Sequence, residues 1–479
     1  MEDIENIPFF LKMTAILSYA VPLLMGYIRD CFGKIFYPEA YAAYYHSNGL
    51  APIVEGFESL YHRYIYIPIR DCFNRPITGV AGRMVKLLDR ISYDGNKTFQ
   101  FTGTKSEVLN LASYNYLGFA AGKGKIIDEV ESTMRGNGLV NNSPRSEVGD
   151  SDLLRDAEEV TARFVGQESS ILISQGFATN STTIPAIVSK GCLVLSDEMN
   201  HNSIVYGSRL SGAVIRVFKH NAIDQLEKML RKAIAEGQPR THRPWKKIFV
   251  VIEGLYSMEG SFPKLPEILA LKQKYKFYVY LDEAHSIGAL GPRGRGICDY
   301  YGVDPKQIDI MMGTFTKSFG AAGGYIAGRK SLIEHLKRTN FNHVYGEPLS
   351  VPVLQQVVSS IKCIMGEDGT TTGLRKLEQI AFNARYFSSE LKKRGFLVCS
   401  HPDSPVIPML LFHYFNLNRF SRECLARGVA VVVVSYPATP IFAGRVRFCM
   451  SASHSKEDLD RVLEIVDEVG TKLKLKNMK

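Results

Sequence analysis

The sequence lacks the cysteine patterns of a disulfide scaffold or a zinc site. Its eight cysteines are scattered singly, with no Cys-x-x-Cys pair. It also has no internal repeats and no low-complexity segments, while 45% hydrophobic and 22% charged residues are ordinary values for a folded enzyme. These features predict a folded body that faces the cytosol and keeps its thiols reduced.

A long basic tract is also missing. The formal net charge of +10 is spread along the chain, and its tightest cluster, at residues 240–247, is short. A patch of this size is usually solvated, so we expect no nucleic-acid partner. A basic surface facing anionic lipid headgroups is the more plausible interpretation.

One long hydrophobic run stands at the N-terminus. Across the 21 residues from 8 to 28 the only charge is Lys12, and such a helix would span roughly 30 Å. Acidic residues precede the run (Glu2, Asp3 and Glu5) and no small-residue cleavage site follows it, which argues against a secretory signal. We therefore predict a membrane anchor over residues 1–36, with a buried or interfacial amphipathic helix as the alternative.

The rest of the chain is expected to form a connecting arm and two α/β units. The arm covers residues 37–105, a large domain residues 106–349, and a smaller C-terminal domain residues 350–479. In the large domain, short apolar runs predict strands at residues 170–174, 193–195, 248–252, 277–281 and 308–312. Helical stretches such as residues 223–235 separate them, and this alternation favours a mostly parallel sheet covered on both faces.

The C-terminal unit has a different pattern. It predicts a long helix over residues 374–394, strands over 429–434 and 445–450, and a last helix that begins at Ser455. The fold class is therefore α/β, with a smaller domain that folds back onto the larger one.

Lys317 is the first candidate for chemistry. It lies in Gly-Thr-Phe-Thr-Lys-Ser-Phe-Gly (residues 313–320), just after an apolar run. A lysine nucleophile must lose its charge, which partial burial favours, and the neighbouring hydroxyls and loop amides suit a phosphate. The motif predicts a Schiff-base lysine for pyridoxal phosphate; the alternative is a surface lysine whose ammonium reaches water.

Asp282 ends another apolar run, and His285 follows one turn later. A buried carboxylate needs a cationic or donor partner, and the pyridinium nitrogen of pyridoxal phosphate is one. His285 is placed to donate to the phenolic oxygen of the same cofactor. A helix cap or a metal site are the alternatives for this pair.

Three further positions are weaker candidates. Gly176 and Phe177 follow a predicted strand and open a helix, where backbone amides bind phosphate. His201 is expected to stack on the pyridine ring, although a lone histidine is more often structural. Arg447 is expected to bind a substrate carboxylate through its fork, with an ordinary ion pair as the alternative.

Together the motifs resemble the α-oxoamine synthases, which are pyridoxal-phosphate enzymes of the aspartate-aminotransferase fold. The resemblance rests on residues 313–320 and 281–288 and is closer still to the lysine-bearing catalytic subunits of the serine palmitoyltransferases. Supporting stretches lie at residues 113–118, 237–247, 253–260 and 436–440. It covers nearly the whole chain and implies an aspartate-aminotransferase-like large domain, a smaller C-terminal α/β domain and an N-terminal anchor helix.

The resemblance also implies an activity and a set of roles. The expected reaction condenses L-serine with a long-chain acyl-CoA, typically palmitoyl-CoA, to 3-ketodihydrosphingosine, CoA and CO2. A second, homologous subunit and the endoplasmic reticulum membrane are implied, with the catalytic body in the cytosol. The family pattern assigns Lys317 to the Schiff base, Asp282 to the ring nitrogen, His285 to the phenolic oxygen, His201 to stacking, Thr314 with the Gly176 and Phe177 amides to the phosphate, and Arg447 to the carboxylate. A synthase that uses another amino acid, such as glycine, and a non-catalytic scaffold are the alternatives.

Two stretches depart from the family pattern. Where relatives carry a Tyr-Ala-Thr-Ser type of stretch, this chain has Tyr345-Gly346-Glu347-Pro348, and residues 141–147 also differ. In family homodimers those hydroxyls reach the phosphate of the neighbouring protomer. We hypothesise that in a heterodimer the partner chain completes the lysine's site, so the loss is tolerated.

Overall fold

The computed structural model describes residues 8–41, 49–50 and 56–476. The acidic residues that precede the hydrophobic run (Glu2, Asp3 and Glu5) lie outside the described residues, as do residues 42–48 and 51–55 of the arm.

The helices follow one another along the chain as α1 (Phe9–Phe36), α2 (Pro38–Tyr41), α3 (Gly56–Tyr61), α4 (Lys125–Asn137), α5 (Asp152–Val165), α6 (Gly176–Ile187), α7 (Asn202–Leu210), α8 (Ile223–Glu236), α9 (Leu265–Tyr275), α10 (Ile297–Tyr301), α11 (Lys330–Thr339), α12 (Phe341–Tyr345), α13 (Val351–Met365), α14 (Thr372–Lys393), α15 (Tyr414–Ala426) and α16 (Lys456–Lys472). A π-helical turn (His62–Tyr66) and short 3-10 turns (Ile67–Cys72, Pro305–Gln307 and Ile441–Ala443) complete the helical segments. The strands are β1 (Ile77–Thr78), β2 (Met84–Ile91), β3 (Gln100–Asn110), β4 (Ser169–Ile173), β5 (Leu193–Asp197), β6 (Val214–Phe218), β7 (Ile248–Glu253), β8 (Tyr278–Asp282), β9 (Ile310–Thr314), β10 (Gly324–Gly328), β11 (Val406–Phe412), β12 (Val429–Ala430), β13 (Val432–Val434) and β14 (Gly444–Cys449).

A seven-stranded sheet, ordered β4-β10-β9-β8-β7-β5-β6, forms the centre of the molecule. Strands β5 to β9 run parallel to their neighbours in this set, and β10 is antiparallel to both β4 and β9. The prediction of a mostly parallel sheet is confirmed. Strand β10 was missed because Gly324 and Gly328 bound a run of only three apolar residues, which resembles a turn more than a strand.

Alternate residues of β7 contribute to two separate cores. Val250 and Ile252 pack into the core beneath helices α5, α8, α9 and α13, whereas Phe249 and Val251 face α6, α7 and α11. A strand buried on both faces carries no polar alternation, which explains its continuous apolar sequence. Helices cover both faces, so the open part of the sheet is its edge at the strand ends.

The C-terminal region contains a second sheet, β11-β14-β13, and joins the arm through a third, β1-β2-β3-β12. The single strand predicted over residues 429–434 is wrong, because β12 pairs in parallel with the end of β3, at Leu109 and Asn110, and β13 pairs with β14. The last helix does begin at Ser455, whose side chain and Asp458 form a reciprocal capping box.

Helix α1 is the one described helix that is long and apolar enough to cross a membrane. It is longer than the predicted run and continues past Asp30. Its buried positions share one face and pack on the body: Ala15, Tyr19, Gly26, Asp30 and Gly33. The opposite face exposes large apolar side chains, among them Leu17, Leu24 and Phe32.

A buried ion pair explains why α1 continues through an acidic residue. Asp30 accepts two hydrogen bonds of 2.6 Å from the guanidinium of Arg63 and one of 2.6 Å from the Tyr64 hydroxyl. A Cβ atom on Gly26 would lie 2.4 Å from the Tyr64 ring. The helix therefore fits closely against the π-helical turn of the arm.

Candidate active site

The candidate site lies where β7, β8 and β9 end, beside the first turn of α6. Parallel strands present their carboxyl ends at one edge of a sheet, which is where such folds bind ligands. A cavity of about 260 Å³ opens there. It is lined by Gln175, Gly176, Phe177, Asn180, His201, Ser203, Glu253, Asp282, Ala284, His285, Met312, Thr314, Thr316 and Lys317. The structure thus brings together every predicted site residue except Arg447, which approaches from the C-terminal sheet.

Lys317 follows β9 on a short loop and is partly buried. Burial lowers the pKa of its ammonium to about 8, and the nearby carboxylate of Asp282 opposes part of that effect. Its Nζ lies 5.8 Å from the centre of the Tyr114 ring. About a tenth of such a lysine is neutral at pH 7, several hundred times more than for an ordinary lysine.

Asp282 ends β8 and is only 3% exposed. Its Oδ2 accepts a hydrogen bond of 2.7 Å from the Asn180 side chain, and its Oδ1 accepts one of 2.8 Å from the backbone of Ala284. The Tyr280 hydroxyl in turn donates to the Asn180 carbonyl at 2.7 Å. Sequence reasoning missed Asn180, whose signal was a polar residue one turn into the helix that starts at Gly176.

His285 is buried, and its Nδ1 lies 2.8 Å from the Tyr116 hydroxyl. Burial lowers the pKa of His285 well below its ordinary value, with a further contribution from the charge of Lys317. Burial also raises the pKa of Tyr116 well above the usual range, so that hydroxyl keeps its proton. If Tyr116 donates to Nδ1, the neutral imidazole carries its hydrogen on Nε2 and can donate it toward the cavity.

His201 caps α7 and opens toward the cavity. Its Nδ1 accepts from the backbone of Ser203 at 3.2 Å, and its ring meets that of Phe177 edge-on with centroids 6.3 Å apart. Desolvation lowers the pKa of His201 against the opposing effect of Asp282. Its backbone N–H donates to the carboxyl of Glu253, a second residue that the sequence did not single out.

The first turn of α6 is a ready anion site. Its N-cap residue, Gln175, makes no side-chain cap, which leaves the first amides of the helix available. A Cβ on Gly176 would lie 3.0 Å from the Thr314 hydroxyl, so glycine allows a close approach. Thr314 donates its proton to the Gly323 carbonyl at 2.9 Å, and its hydroxyl also shares a hydrogen bond of 2.8 Å with the hydroxyl of the exposed Thr316. With Thr314 donating to Gly323, the Thr316 hydroxyl donates to Thr314, so both hydroxyls have partners, and the role of Thr314 at a phosphate stays a prediction.

Arg447 projects from β14 and is 5% exposed. Its guanidinium lies 4.7 Å from the centre of the Tyr114 ring and donates to the Ser257 carbonyl at 3.3 Å. Its buried Nε has no hydrogen-bond partner. Within the described part of the chain Arg447 makes no ion pair, whereas Arg445 pairs with Glu259 at 3.5 Å. The ordinary ion pair considered as the alternative role of Arg447 is thus made by its neighbour Arg445. The Arg447 guanidinium is left able to accept a carboxylate from a ligand.

Two remaining features bear on the alternatives. The described residues contain no group of three or more histidine, cysteine or acidic side chains that could hold a metal ion.

The two stretches that depart from the family pattern are neighbours, since Ser146 donates to the Val344 carbonyl at 3.0 Å. Tyr345 beside them is 70% exposed and Glu347 is exposed.

Comparison with known proteins gives consistent matches. The model of the aminotransferase class I and II family matches residues 106–466. Serine palmitoyltransferase 2 of Schizosaccharomyces pombe is 50% identical over 468 residues, which cover 98% of this chain and 78% of that protein. The solved serine palmitoyltransferase of Sphingomonas wittichii superposes with a TM-score of 0.75 at 25% identity, covering 88% of this chain and 96% of that one. A structure of serine palmitoyltransferase with pyridoxal phosphate gives a TM-score of 0.75 at 25% identity, covering 88% of this chain and 98% of the other.

Proposed function

The chain belongs to the aminotransferase class I and II family and, within it, to the serine palmitoyltransferases, and from this premise we propose that it joins L-serine to a long-chain acyl-CoA. The products are 3-ketodihydrosphingosine, CoA and CO2, and palmitoyl-CoA is the acyl donor. The observation that carries the proposal is Lys317, a lysine whose ammonium pKa is lowered to about 8 beside a buried carboxylate and an uncapped helix.

The residues of the cavity fit pyridoxal phosphate. The free amides of α6, with the Thr314 and Thr316 hydroxyls beside them, suit its phosphate; Asp282 suits its ring nitrogen. His285 Nε2–H would donate to its phenolic oxygen, and the His201 ring would cover one face of the pyridine. Pyridoxal phosphate, when bound, supplies an aldehyde that condenses with amines and a ring that withdraws electrons from the amino acid's α-carbon.

Lys317 acts as an amine and as a base. Its lowered pKa keeps a usable fraction of Nζ neutral at neutral pH, and that neutral nitrogen holds the cofactor and accepts the proton from the α-carbon of serine. Two hydrogen bonds, from the Asn180 side chain and the Ala284 backbone, support the Asp282 carboxylate at the end of β8. The pair thus places a base and a fixed anion in one small cavity.

Arg447 binds the serine carboxylate. Its Nε is buried without a partner, and the Tyr114 ring supports the guanidinium from one face. A carboxylate would complete the hydrogen bonds of this group and neutralise its charge. The same residue therefore orients the bond that later breaks to release CO2.

A second, homologous subunit and a membrane complete the proposal. Glu347 is a poor ligand for phosphate, and the surface around it exposes Tyr345, Leu139 and Val148, so this face suits a partner chain. Helix α1 presents its apolar face outward and would hold the protein on the endoplasmic reticulum membrane with its body in the cytosol. That position suits an acyl donor and a product that are both lipid-like.

The test is co-expression with and without a candidate partner subunit, followed by an assay of labelled palmitoyl-CoA incorporation into long-chain base. We expect product that depends on serine and on the partner, and none with Lys317→Ala. Product from glycine in place of serine would favour another α-oxoamine synthase. Full activity of Lys317→Ala, or a purified complex without the visible absorbance of bound pyridoxal phosphate, would favour a scaffold.

A further inference from the structure

Two carboxyl groups stand side by side at the edge of the large sheet. Glu253 ends β7, and the strand register places it opposite Asp282, the last residue of β8. Both line the cavity, and they are 4% and 3% exposed. Within the described part of the chain Glu253 makes no ion pair, and its carboxyl accepts one hydrogen bond, from the backbone N–H of His201.

The surroundings favour one negative charge at this position. Asp282 accepts two hydrogen bonds, so it holds the charge more readily than Glu253, which accepts one. The groups that face Glu253 from the neighbouring elements are the acids Asp282, Asp197 and Glu259, the hydroxyl of Tyr256, the cation Lys317 and the neutral His201. Acids outnumber cations in this set, and two adjacent buried carboxyls do not both ionise readily.

We propose that Glu253 is a neutral carboxylic acid in the folded protein and acts as a positioning residue. The carbonyl oxygen of Glu253 accepts from the backbone N–H of His201 and fixes its position. Because Glu253 is protonated and uncharged, Asp282 is the single anion that faces the ring nitrogen of the cofactor. The role in cofactor binding rests on the function proposed above. Burial, followed by the neighbouring Asp282, raises the pKa of Glu253 well above its usual range, in agreement with the geometry.

Glu253→Gln separates the two possible states of this side chain. Glutamine is neutral and keeps a carbonyl oxygen that can accept from His201, so it mimics the acid but not the anion. We expect Glu253→Gln to bind pyridoxal phosphate within about threefold of the wild type and to keep its pH profile. Glu253→Ala removes the acceptor and should bind about tenfold more weakly, the cost of one hydrogen bond at a buried site. Glu267→Gln, on the exposed side of α9, is the matched control and should change nothing.

Infrared spectroscopy measures the protonation directly, without cofactor and without turnover. The full-length complex, stripped of pyridoxal phosphate and labelled with 13C-glutamate, should show at pH 7 a carboxylic-acid band that Glu253→Gln lacks. Glu283 is another buried acid, whose pKa is raised by burial to about 7; its band is common to both proteins and cancels in the difference. The absence of that band, or a Gln variant as weak as the Ala variant, would overturn the proposal. If the wild type binds no pyridoxal phosphate, the proposed function fails, while the infrared difference still decides the state of Glu253.

Discussion

Asn180 is expected to control cofactor affinity although it was not evident as a site residue from the sequence. Its amide donates to Asp282 at 2.7 Å and to the Ser203 hydroxyl at 2.9 Å, and its carbonyl accepts from Tyr280 at 2.7 Å. All these side chains are buried. Asn180→Ala would leave the Asp282 carboxylate with one donor in a cavity that excludes water once the cofactor fills it.

The magnitude follows from the hydrogen bond to the carboxylate. A hydrogen bond to a charged group contributes about 1.5–3 kcal/mol. Water replaces the lost amide in the empty cavity but not in the filled one, so most of the loss appears in cofactor binding. We expect the Kd for pyridoxal phosphate to rise about 10- to 100-fold. Titration of the stripped full-length complex with pyridoxal phosphate, followed by absorbance, measures it.

Asn383 provides a matched control for this substitution. It is also fully buried, and its amide donates to the carbonyls of Ser451 and His454 at 2.9 and 3.0 Å, within the C-terminal region. Asn383→Ala should lower thermal stability yet leave the Kd of the folded protein unchanged. An unchanged Kd in Asn180→Ala, or equal shifts in the two variants, would refute the assignment of Asn180 to the support of Asp282.

Three further predictions concern other parts of the molecule. Burial lowers the pKa of Lys317 to about 8, and the neutral amine is the form that would attack the cofactor. The rate of pyridoxal phosphate attachment should therefore rise about fivefold from pH 7 to pH 8 and level off above pH 9. A continued tenfold rise per pH unit through pH 10 would indicate an ordinary lysine. Arg447→Lys keeps the charge but loses the fork, and should raise the KM for serine about tenfold or more, whereas a change confined to the KM for acyl-CoA would contradict its role. Asp30→Ala removes the buried carboxylate that pairs with Arg63 and should speed hydrogen exchange in residues 62–72. Exchange in the large sheet should stay unchanged and serves as the internal control. Unaltered exchange in residues 62–72 would mean that the ion pair does not hold α1 against the arm.

The parts of the fold that were predictable are those whose signal is local. Strand β7 is a continuous apolar run because both of its faces are buried, and Ser455 begins the last helix through contacts within four residues. Strand β12 was not predictable as a separate element. Its pairing with β3 joins positions more than three hundred residues apart, and nothing in its sequence distinguishes it from β13.

The same distinction applies to the candidate site. Lys317 and Asp282 stand at the ends of apolar strands, so their sequence position already indicates the sheet edge. Glu253 has the same signal, an acid at the end of the apolar strand β7, and was overlooked. Asn180 lacks such a signal because its partners come from other strands and loops. At Thr314 the strand extends two residues beyond the predicted end, and the threonine hydroxyl donates to the Gly323 carbonyl; its contact with a phosphate stays a prediction.

Tyr114 connects parts of the site that no single motif contains. Its ring lies 4.7 Å from the Arg447 guanidinium and 5.8 Å from Lys317 Nζ, and it meets the His285 ring edge-on at 5.0 Å. Two cations near one aromatic ring repel each other, which favours the neutral form of Lys317 and leaves the charge on arginine, whose pKa is far higher. A serine carboxylate that binds Arg447 would remove this repulsion and thereby raise the basicity of Lys317. Substrate binding itself would then strengthen Lys317 as the proposed base for the α-proton.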